Sequence, residues 1–432
     1  MKELKTIRVG LLGCGVVGGA TARILLDDAD EITKQAGVRI ELARVAVRDP
    51  SKSRSVDLPP NVLTTDSESV AEDPSIDIVV ETIGGVDPAK DLITRALAAG
   101  KYVVTANKEL LALAAPEVMA AAQESGTGVL FEASVAGGIP IIRPIRESLA
   151  GDKVHRIMGI VNGTTNFILT RMSDTGETFA DALAEADRLG YTEADPSADI
   201  DGHDAASKLA ILASLAFNAQ VVAEDVPREG IKDVTPDDIA AAHALGYEVK
   251  LLAVADDSDG QISARVHPAM LPRTHPLAAV RDEFNAVFLE ATQAGELMFF
   301  GRGAGGGPTA SAVVGDLIEA ARSVATGAPG APVYATERAL VRPPGESLVR
   351  YYLVLSVADQ PGVLSAVAGA FADNGVSISS VRQEGSGQEA MLVLITHLAP
   401  EKNHTETIEE LNGLDVVDSI DSKMRVLGTT EG

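Results

Sequence analysis

The sequence predicts an α/β protein in three parts: a doubly wound parallel sheet, an α+β region, and a small ferredoxin-like unit at the C-terminus. Three observations carry this. Short β-branched runs alternate with Ala- and Leu-rich helical stretches from Ile7 to about Leu130, the rhythm changes from about Phe131 onward, and a βαββαβ order begins near Val349. Regular alternation of strand and helix implies a parallel sheet covered on both faces. A chain of 432 residues also exceeds what one hydrophobic core organises.

In order, "IRVGLL" predicts a strand, "VVGGATARILLDD" a helix, "ELARVAVR" a strand and "IDIVVETIGG" another. "KDLITRALAAG" (helix), "YVVTAN" (strand) and "LLALAAPEVMAAAQES" (helix) complete a first domain over residues 1–130. The strands are continuous apolar runs rather than alternating ones, as buried parallel strands are. Residues 131–307 form the expected α+β domain. Its helical patterns "TFADALAEADRLG" and "DAASKLAILASLAF" precede strand-like "EVKLLAVA", "ISARVHP" and "ELMFFG". A glycine-rich turn then opens a helix over 308–325 that is expected to pack back on the first domain. Residues 326–348 carry four prolines and little periodicity, so they are assigned as a linker. Residues 349–432 are the ferredoxin-like unit.

Composition narrows the function. A formal charge of −26 disfavours nucleic acid or an anionic membrane surface as partner, because a phosphate backbone needs a basic face. Aromatic residues at 3% and no tryptophan leave no stacking platform. No apolar run is long enough to span a bilayer, and "MKELKTIRVG" enters a strand without a signal-peptide core, so a cytoplasmic location is expected. The single cysteine, Cys14, excludes an internal disulfide framework and a Cys-cluster metal site.

"GLLGCGVVGG" places Gly13, Gly15 and Gly18 in G-x-G-x-x-G spacing, after a strand and at the start of a helix whose first residues are Val16 and Val17. The spacing supplies a tight turn, close backbone approach to a pyrophosphate, close helix packing, and a helix N-terminus facing the phosphates. A Rossmann-type dinucleotide site follows. Past the second strand the chain has Arg48, then Asp49, Lys52 and Arg54. An arginine there suits a 2′-phosphate, so NADP is preferred, while Asp49 keeps NAD possible.

Hydride transfer to a carbonyl needs a group that stabilises or protonates the developing alkoxide. Cys14 lies inside the phosphate turn and does not serve as a thiol nucleophile, which excludes a phosphorylating semialdehyde dehydrogenase. Lys108, in "VVTANKE", sits just past a predicted strand at the edge where doubly wound sheets bind ligands. Lys208 follows Asp204 by one helical turn and is succeeded by the apolar "LAILASLAF". Residue chemistry leaves two readings open: a working lysine with a partner carboxylate, or a surface ion pair contributing about 0.3 to 0.5 kcal/mol.

The motifs "GLLGCGVVGG", "ETIGG", "VVTANKE", "FEASVAGGIPII", "GIVNGTTNFIL", "GYTEADPSADIDGHDAASKLAIL" and "FFGRGAGGGPTASAVVGDL" together resemble homoserine dehydrogenase of the monofunctional bacterial type, over roughly residues 7–325. The tail motif "VADQPGVLSAVAGAFADNGVSISSV" resembles an ACT domain, an amino-acid-sensing module. No aspartate kinase region is expected before the dehydrogenase. The resemblance implies NAD(P)-linked interconversion of L-aspartate 4-semialdehyde and L-homoserine on the route to threonine and methionine. It makes residues 131–307 the substrate-binding, catalytic and dimerisation domain, and it assigns Lys208 as proton donor and Lys108 to the junction of cofactor and substrate. Glu193 and Asp204 are implied to bind the substrate ammonium, with Asp199 in support. Glu132, Val135, Gly137 and Ile139 fall on the family's sodium loop, where mainly backbone carbonyls are ligands. Thr105 and Gly303, after Arg302, match further cofactor contacts.

Three rivals lose ground on the sequence itself. Phosphoglycerate dehydrogenase also joins a dinucleotide domain to an ACT tail, but there the nucleotide turn lies deep in the chain. A divalent-metal loop at Asp199, Asp201, Gly202 and His203 lacks the further ligands of a calcium loop. A non-catalytic amino-acid sensor is disfavoured by the two lysines and the acid cluster. The turn "DQPGVL" is expected to bind an amino-acid effector, threonine, giving feedback inhibition through paired tails in a homodimer or homotetramer. Asp195 and Asp201 are left to solvation or capping.

Overall fold

The computed structural model describes residues 4–192, 194–258, 260–328, 337–385 and 390–427. The chain forms two compact units, each discontinuous in sequence. The first comprises Met1–Gly163, Asp204–Val226 and Glu283–Ala339, and the second Thr164–His203, Pro227–Asp282 and Leu340–Gly432.

In the first unit a parallel sheet is built from β1 (Thr6–Leu12), β2 (Arg39–Ala46), β3 (Leu63–Thr64), β4 (Ile78–Glu81), β5 (Tyr102–Thr105) and β6 (Val129–Leu130), in the order β3-β2-β1-β4-β5-β6. β4 and β5 are buried at every residue, which is why their apolar runs show no alternation. The order reverses between β1 and β4, and ligands of such sheets bind beyond the carboxyl ends at that reversal. Helices Val16–Asp27 and Gly306–Thr326 pack on one another. Val313, Val314, Leu317, Ala320 and Ala321 of the second helix share a core with Ile7, Val9 and Ile78. Helices Ala89–Ala98 and Lys108–Ser125 also pair with each other. The latter kinks at Ala114, just before Pro116, whose ring blocks the regular helical bond.

Several elements here, the six-residue helix Ser67–Glu72 among them, were absent from the sequence expectation. Helix Ala29–Ala36 continues directly from the first helix, and β3 and β6 are only two residues long, below what periodicity detects. The rest of the unit carries an antiparallel trio in which Phe284–Ala291 lies between Val154–Ile160 and Gly295–Arg302. It also holds helix His203–Ala216, whose Leu209 to Ala213 are fully buried.

In the second unit, strands Tyr247–Ser258 and Gln261–Pro272 form a long antiparallel hairpin. The C-terminal unit follows the expected βαββαβ order, with strands in the spatial order Val417–Val426, Tyr351–Val357, Met391–Thr396 and Ile378–Glu384. Helices Val363–Asp373 and Glu401–Asn412 contribute Val367, Phe371 and Leu411 to a core with Leu353, Leu355 and Leu394. Strand Val417–Val426 also pairs in parallel with the hairpin, Arg425 opposite Ala269 and Val426 opposite Met270. Of the expected linker, residues 329–336 lie outside the described residues.

Candidate active site

The carboxyl edge of the parallel sheet carries the phosphate turn. Gly13 has φ +93, a conformation that favours glycine, and a Cβ on Gly18 would lie 2.3 Å from the Gly13 carbonyl oxygen. Space around Gly15 is open. This is a cradle into which only a glycine turn fits and against which a pyrophosphate can lie. Helix Val16–Asp27 has no side-chain cap on its first-turn amides and no acidic residue there. Helix Gly306–Thr326 begins the same way, and a Cβ on Gly306 would sit 2.9 Å from Val16 Cγ1. Two uncapped helix starts therefore converge on Val16 and favour an anion. The residues present fit a dinucleotide.

A groove of about 510 Å³ runs from Gly13, Cys14 and Gly15 past Arg48, Asp49 and Lys52 to Thr82. Asp49 accepts hydrogen bonds from the Ser51 amide (2.9 Å) and hydroxyl (2.6 Å), so its carboxylate is folded onto its own turn and held below its ordinary pKa. Arg54 donates to the carbonyls of Pro50 and Lys52. Arg48 is exposed at the groove wall. Burial pushes the Cys14 thiol up, away from the nucleophilic thiolate.

At the end of β4 the fully buried Glu81 accepts from the amides of Ile83 (2.7 Å) and Gly84 (3.0 Å) and from the Thr105 hydroxyl (2.6 Å). Thr105 in turn accepts from the Asn107 amide at 3.0 Å. Asn107 caps helix Lys108–Ser125 by accepting from Leu110 N at 3.0 Å, and donates to Gly85 O at 2.6 Å. This chain of bonds fixes the first helical residue, Lys108. Thr105 spends its hydroxyl inside the protein and is fully buried, so only its backbone remains for a cofactor.

The two lysines meet on one carboxylate. Lys108 Nζ lies 2.5 Å from Asp204 Oδ1, and Lys208 Nζ donates to Asp204 Oδ2 at 2.7 Å and to Val161 O at 2.8 Å. Asn162 donates to the same Oδ2 at 2.9 Å. Asp204 is 6% exposed. Burial by itself raises its carboxyl pKa, but the ammoniums of Lys208 and Lys108 outweigh that and hold it well below the usual carboxylate range. Asp204 is thus the counter-ion of both lysines. A substrate ammonium would arrive there as a third cation.

The other expected residues divide. Glu193 lies outside the described residues. Asp199 belongs to the second compact unit, in the short helix Ser197–Ile200. In the same unit Asp195 accepts from Ser197 N at 3.0 Å and Asp201 pairs with Lys232 at 2.7 Å, which accounts for both as turn-capping and surface charge. The carboxylate of Glu132 accepts from the amides of Ile141 (2.6 Å), Ile142 (2.7 Å) and Arg143 (2.9 Å). The backbone bonds of its loop run from Ser134 to Phe131 O, Gly138 to Arg302 O and Ile139 to Ala136 O. The carbonyls of Glu132, Val135, Gly137 and Ile139 stand outside that set, on a buried loop where Ala136 and Gly137 have positive φ. Such carbonyls suit a hard cation. Gly303 is pressed against Asn285, where a Cβ would meet Nδ2 at 1.9 Å, and its own carbonyl leaves room for no more than glycine at 137.

Asn162, Asn107 and Glu81 were not foreseen as site residues. Each sits in a motif that carries the resemblance, and each acts through hydrogen bonds to a residue that was.

Comparison with known proteins agrees with this geometry. The family model for homoserine dehydrogenase matches residues 140–318, that for its NAD-binding domain residues 13–132, and that for the ACT domain residues 351–416. The chain is 49% identical to a homoserine dehydrogenase of Mycobacterium tuberculosis, covering 98% of each chain. A crystal structure of a homoserine dehydrogenase from Thiobacillus denitrificans superposes with a TM-score of 0.93 at 41% identity, covering 99% of each chain. A hyperthermophilic archaeal homoserine dehydrogenase in complex with NADPH matches with a TM-score of 0.62 at 32% identity, over 73% of this chain and 97% of that one. Among the described residues no helix is long and apolar enough to cross a membrane.

Proposed function

The chain belongs to the homoserine dehydrogenase family, an oxidoreductase acting on a CH–OH group with a nicotinamide cofactor, and on that premise we propose that it reduces L-aspartate 4-semialdehyde to L-homoserine with NADPH. The observation that carries the reading is the Lys108–Asp204–Lys208 bridge at the carboxyl edge of the dinucleotide sheet. When bound, the cofactor supplies the hydride. Lys208 gives a proton to the oxygen that becomes the alcohol, and Lys108 stabilises the negative charge growing on that oxygen. Asp204 keeps both ammoniums aimed at one point in space, which is the orientation that makes an otherwise bimolecular step efficient. Glu193 and Asp199 are proposed to hold the substrate ammonium.

NADP is favoured over NAD because Asp49 is engaged with Ser51 while Arg48 and Lys52 line the groove. Gly13, Gly15, Val16, Val17, Gly18 and Gly303, with the Thr105 backbone, are proposed to hold the rest of the cofactor. A sodium ion held by the carbonyls of Glu132, Val135, Gly137 and Ile139 would brace the loop that packs on Gly303. L-Threonine is proposed to inhibit through the ACT turn Asp359–Leu364 in a homo-oligomer, placing the enzyme on the route to threonine and methionine.

The test is steady-state NADPH and NADH oxidation with L-aspartate 4-semialdehyde, with and without L-threonine. Turnover with NADPH preferred, and abolished in Lys208→Ala, is expected. Lys208→Ala turnover equal to that of the unaltered protein refutes the assigned chemistry.

A further inference from the structure

The second unit contains a cavity of about 170 Å³ that the reaction does not use. Three chain segments build it around strand Gln261–Pro272. Glu229 N donates to Val266 O and Val266 N to Pro227 O on one side of the strand. On the other, Ile262 N donates to Leu340 O and Arg342 N to Ile262 O. The parallel pairing of Arg425 with Ala269 closes the cavity with the C-terminal unit, and Glu401 N bonds to Ser347 O. At roughly 30 Å³ per water, the space suits five or six waters or one solute of similar size.

Its lining is cationic in an acidic chain. Four arginines, Arg228, Arg265, Arg342 and Arg425, face two glutamates, Glu229 and Glu401, where the chain as a whole carries −26. Arg425 takes both glutamates for itself, Glu229 at 2.7 Å and Glu401 at 3.0 Å, and lies over the Tyr351 ring. Arg265 donates to the Ser263 hydroxyl at 2.8 Å and Arg342 to the Ser258 carbonyl at 3.3 Å, and both guanidiniums lie 3.8 Å from the Asp256 carboxylate. Both side chains are largely buried, at 12% and 16% exposure, so their charge is poorly solvated.

The wall also presents hydrogen-bonding groups of defined sense. Ser263 and Ser347 are buried and joined through their hydroxyls at 3.0 Å. His267 is 2% exposed, and its Nδ1 faces the Pro268 carbonyl at 3.0 Å, so Nδ1 carries the proton and Nε2 offers a lone pair. Nε2 has no partner among the described residues. An unsatisfied buried acceptor costs free energy that a donor on a bound molecule recovers.

We infer that this cavity is a ligand site for a small carboxylate that also carries an N–H or O–H donor, with Arg265 and Arg342 holding the carboxylate and the serine pair and His267 taking the donor. It is built from residues other than the Asp359–Leu364 turn and does not depend on that turn binding anything. A site whose walls come from the hairpin, the 340–347 segment and the C-terminal unit ties those three together when filled, as ligand linkage requires.

The test is calorimetric titration of the full-length protein with L-threonine, acetate and inorganic phosphate as probes. Two saturable L-threonine sites are expected, one that persists in Gln360→Ala and is weakened about tenfold or more by Arg342→Gln, and one at the ACT turn that Gln360→Ala removes. Acetate and phosphate are expected to bind about tenfold or more weakly than L-threonine. Loss of all saturable binding in Gln360→Ala assigns the ligand to the turn alone and overturns the cavity site. Absence of saturable binding, Arg342→Gln affinity within about twofold of the unaltered protein, or phosphate as the tightest probe also overturns it. Should Arg342→Gln fail to fold, Ser347→Ala serves instead: about threefold weakening is expected, and unchanged affinity refutes the site.

Discussion

Asp204→Asn separates two jobs for one carboxylate. The resemblance gives Asp204 to the substrate ammonium, whereas the geometry gives both its oxygens to lysines, at 2.5 and 2.7 Å. At those distances and an effective dielectric near 20, each pair attracts by about 6 kcal/mol before desolvation is charged against it. Desolvation of a carboxylate only 6% exposed cancels much of that. The Lys108 pair is discounted further because that side chain is 37% exposed. Removing one partner of a buried ionic cluster costs ~3–5 kcal/mol, and solvent at Lys108 puts this site near ~3.

The kinetic consequence distinguishes the roles. If Asp204 organises the lysines, Asn leaves two mutually repelling ammoniums without a shared anchor, and kcat falls by roughly 10²-fold with little change in KM for the semialdehyde. If it holds the substrate ammonium, KM rises instead. The assay is initial-rate NADPH oxidation across semialdehyde concentrations, with urea unfolding measured in parallel. A kcat within about threefold of the unaltered enzyme would refute the organising role. The pH dependence has a definite sign. Because the folded pKa is depressed, the contribution of Asp204 is present above its unfolded value near 3.9 and is lost as pH falls through the folded one. The stability gap between wild type and Asp204→Asn should therefore begin to narrow as pH falls below about 4 and close only as pH passes through the depressed folded value.

Arg48→Ala is expected to lower the preference for NADPH over NADH by about ten- to a hundredfold, the value of a charge-assisted contact to a 2′-phosphate; an unchanged ratio of kcat/KM values sinks that assignment. Gly303→Ala drives a Cβ to 1.9 Å from Asn285 Nδ2, and overpacking of that kind costs about 1–3 kcal/mol; a urea midpoint equal to that of the unaltered protein contradicts it. Burial lifts the Asp316 carboxyl to about 7 even though Arg143 lies 2.6 Å away. Its folded pKa is raised, so its contribution is fully present below about 3.9 and lost as pH rises through about 7. The stability gap between wild type and Asp316→Asn should accordingly be wider at pH 5 than at pH 8, and a constant gap argues against a titrating Asp316.

The dinucleotide half of the site was legible because its chemistry is local. A tight turn, a close backbone approach and a close helix contact each demand glycine, and all three demands fall within six residues of one another, Gly13 to Gly18. Asp204 and Lys208 were legible as a pair for the same reason, being one helical turn apart. The Lys108–Asp204 contact was not, since it depends on how helix His203–Ala216 lies against the end of β5, which no periodicity encodes. Glu132 carried a signal of another kind, since the expectation there rested on the loop's carbonyls rather than on its side chain. Its motif marked the residue, yet the carboxylate turns inward to three amides, and only the loop carbonyls remain for a cation.

A tripeptide bears on the adenosine end of the proposed cofactor site. "DPS" occurs three times in the chain. At each, the aspartate accepts a hydrogen bond from the serine amide: Asp49 from Ser51 at 2.9 Å, Asp73 from Ser75 at 2.8 Å and Asp195 from Ser197 at 3.0 Å. Proline fixes the middle residue of the turn and the aspartate closes it, a local bond that needs no tertiary context. All three carboxylates are held below their ordinary pKa, with bonds from the serine as the leading cause. An aspartate so engaged is a poor partner for a ribose hydroxyl or a substrate ammonium. The same tripeptide therefore weakens Asp49 as an argument for NAD and Asp195 as a candidate in the acidic stretch, and it makes Arg48 the residue on which the proposed NADP preference is tested.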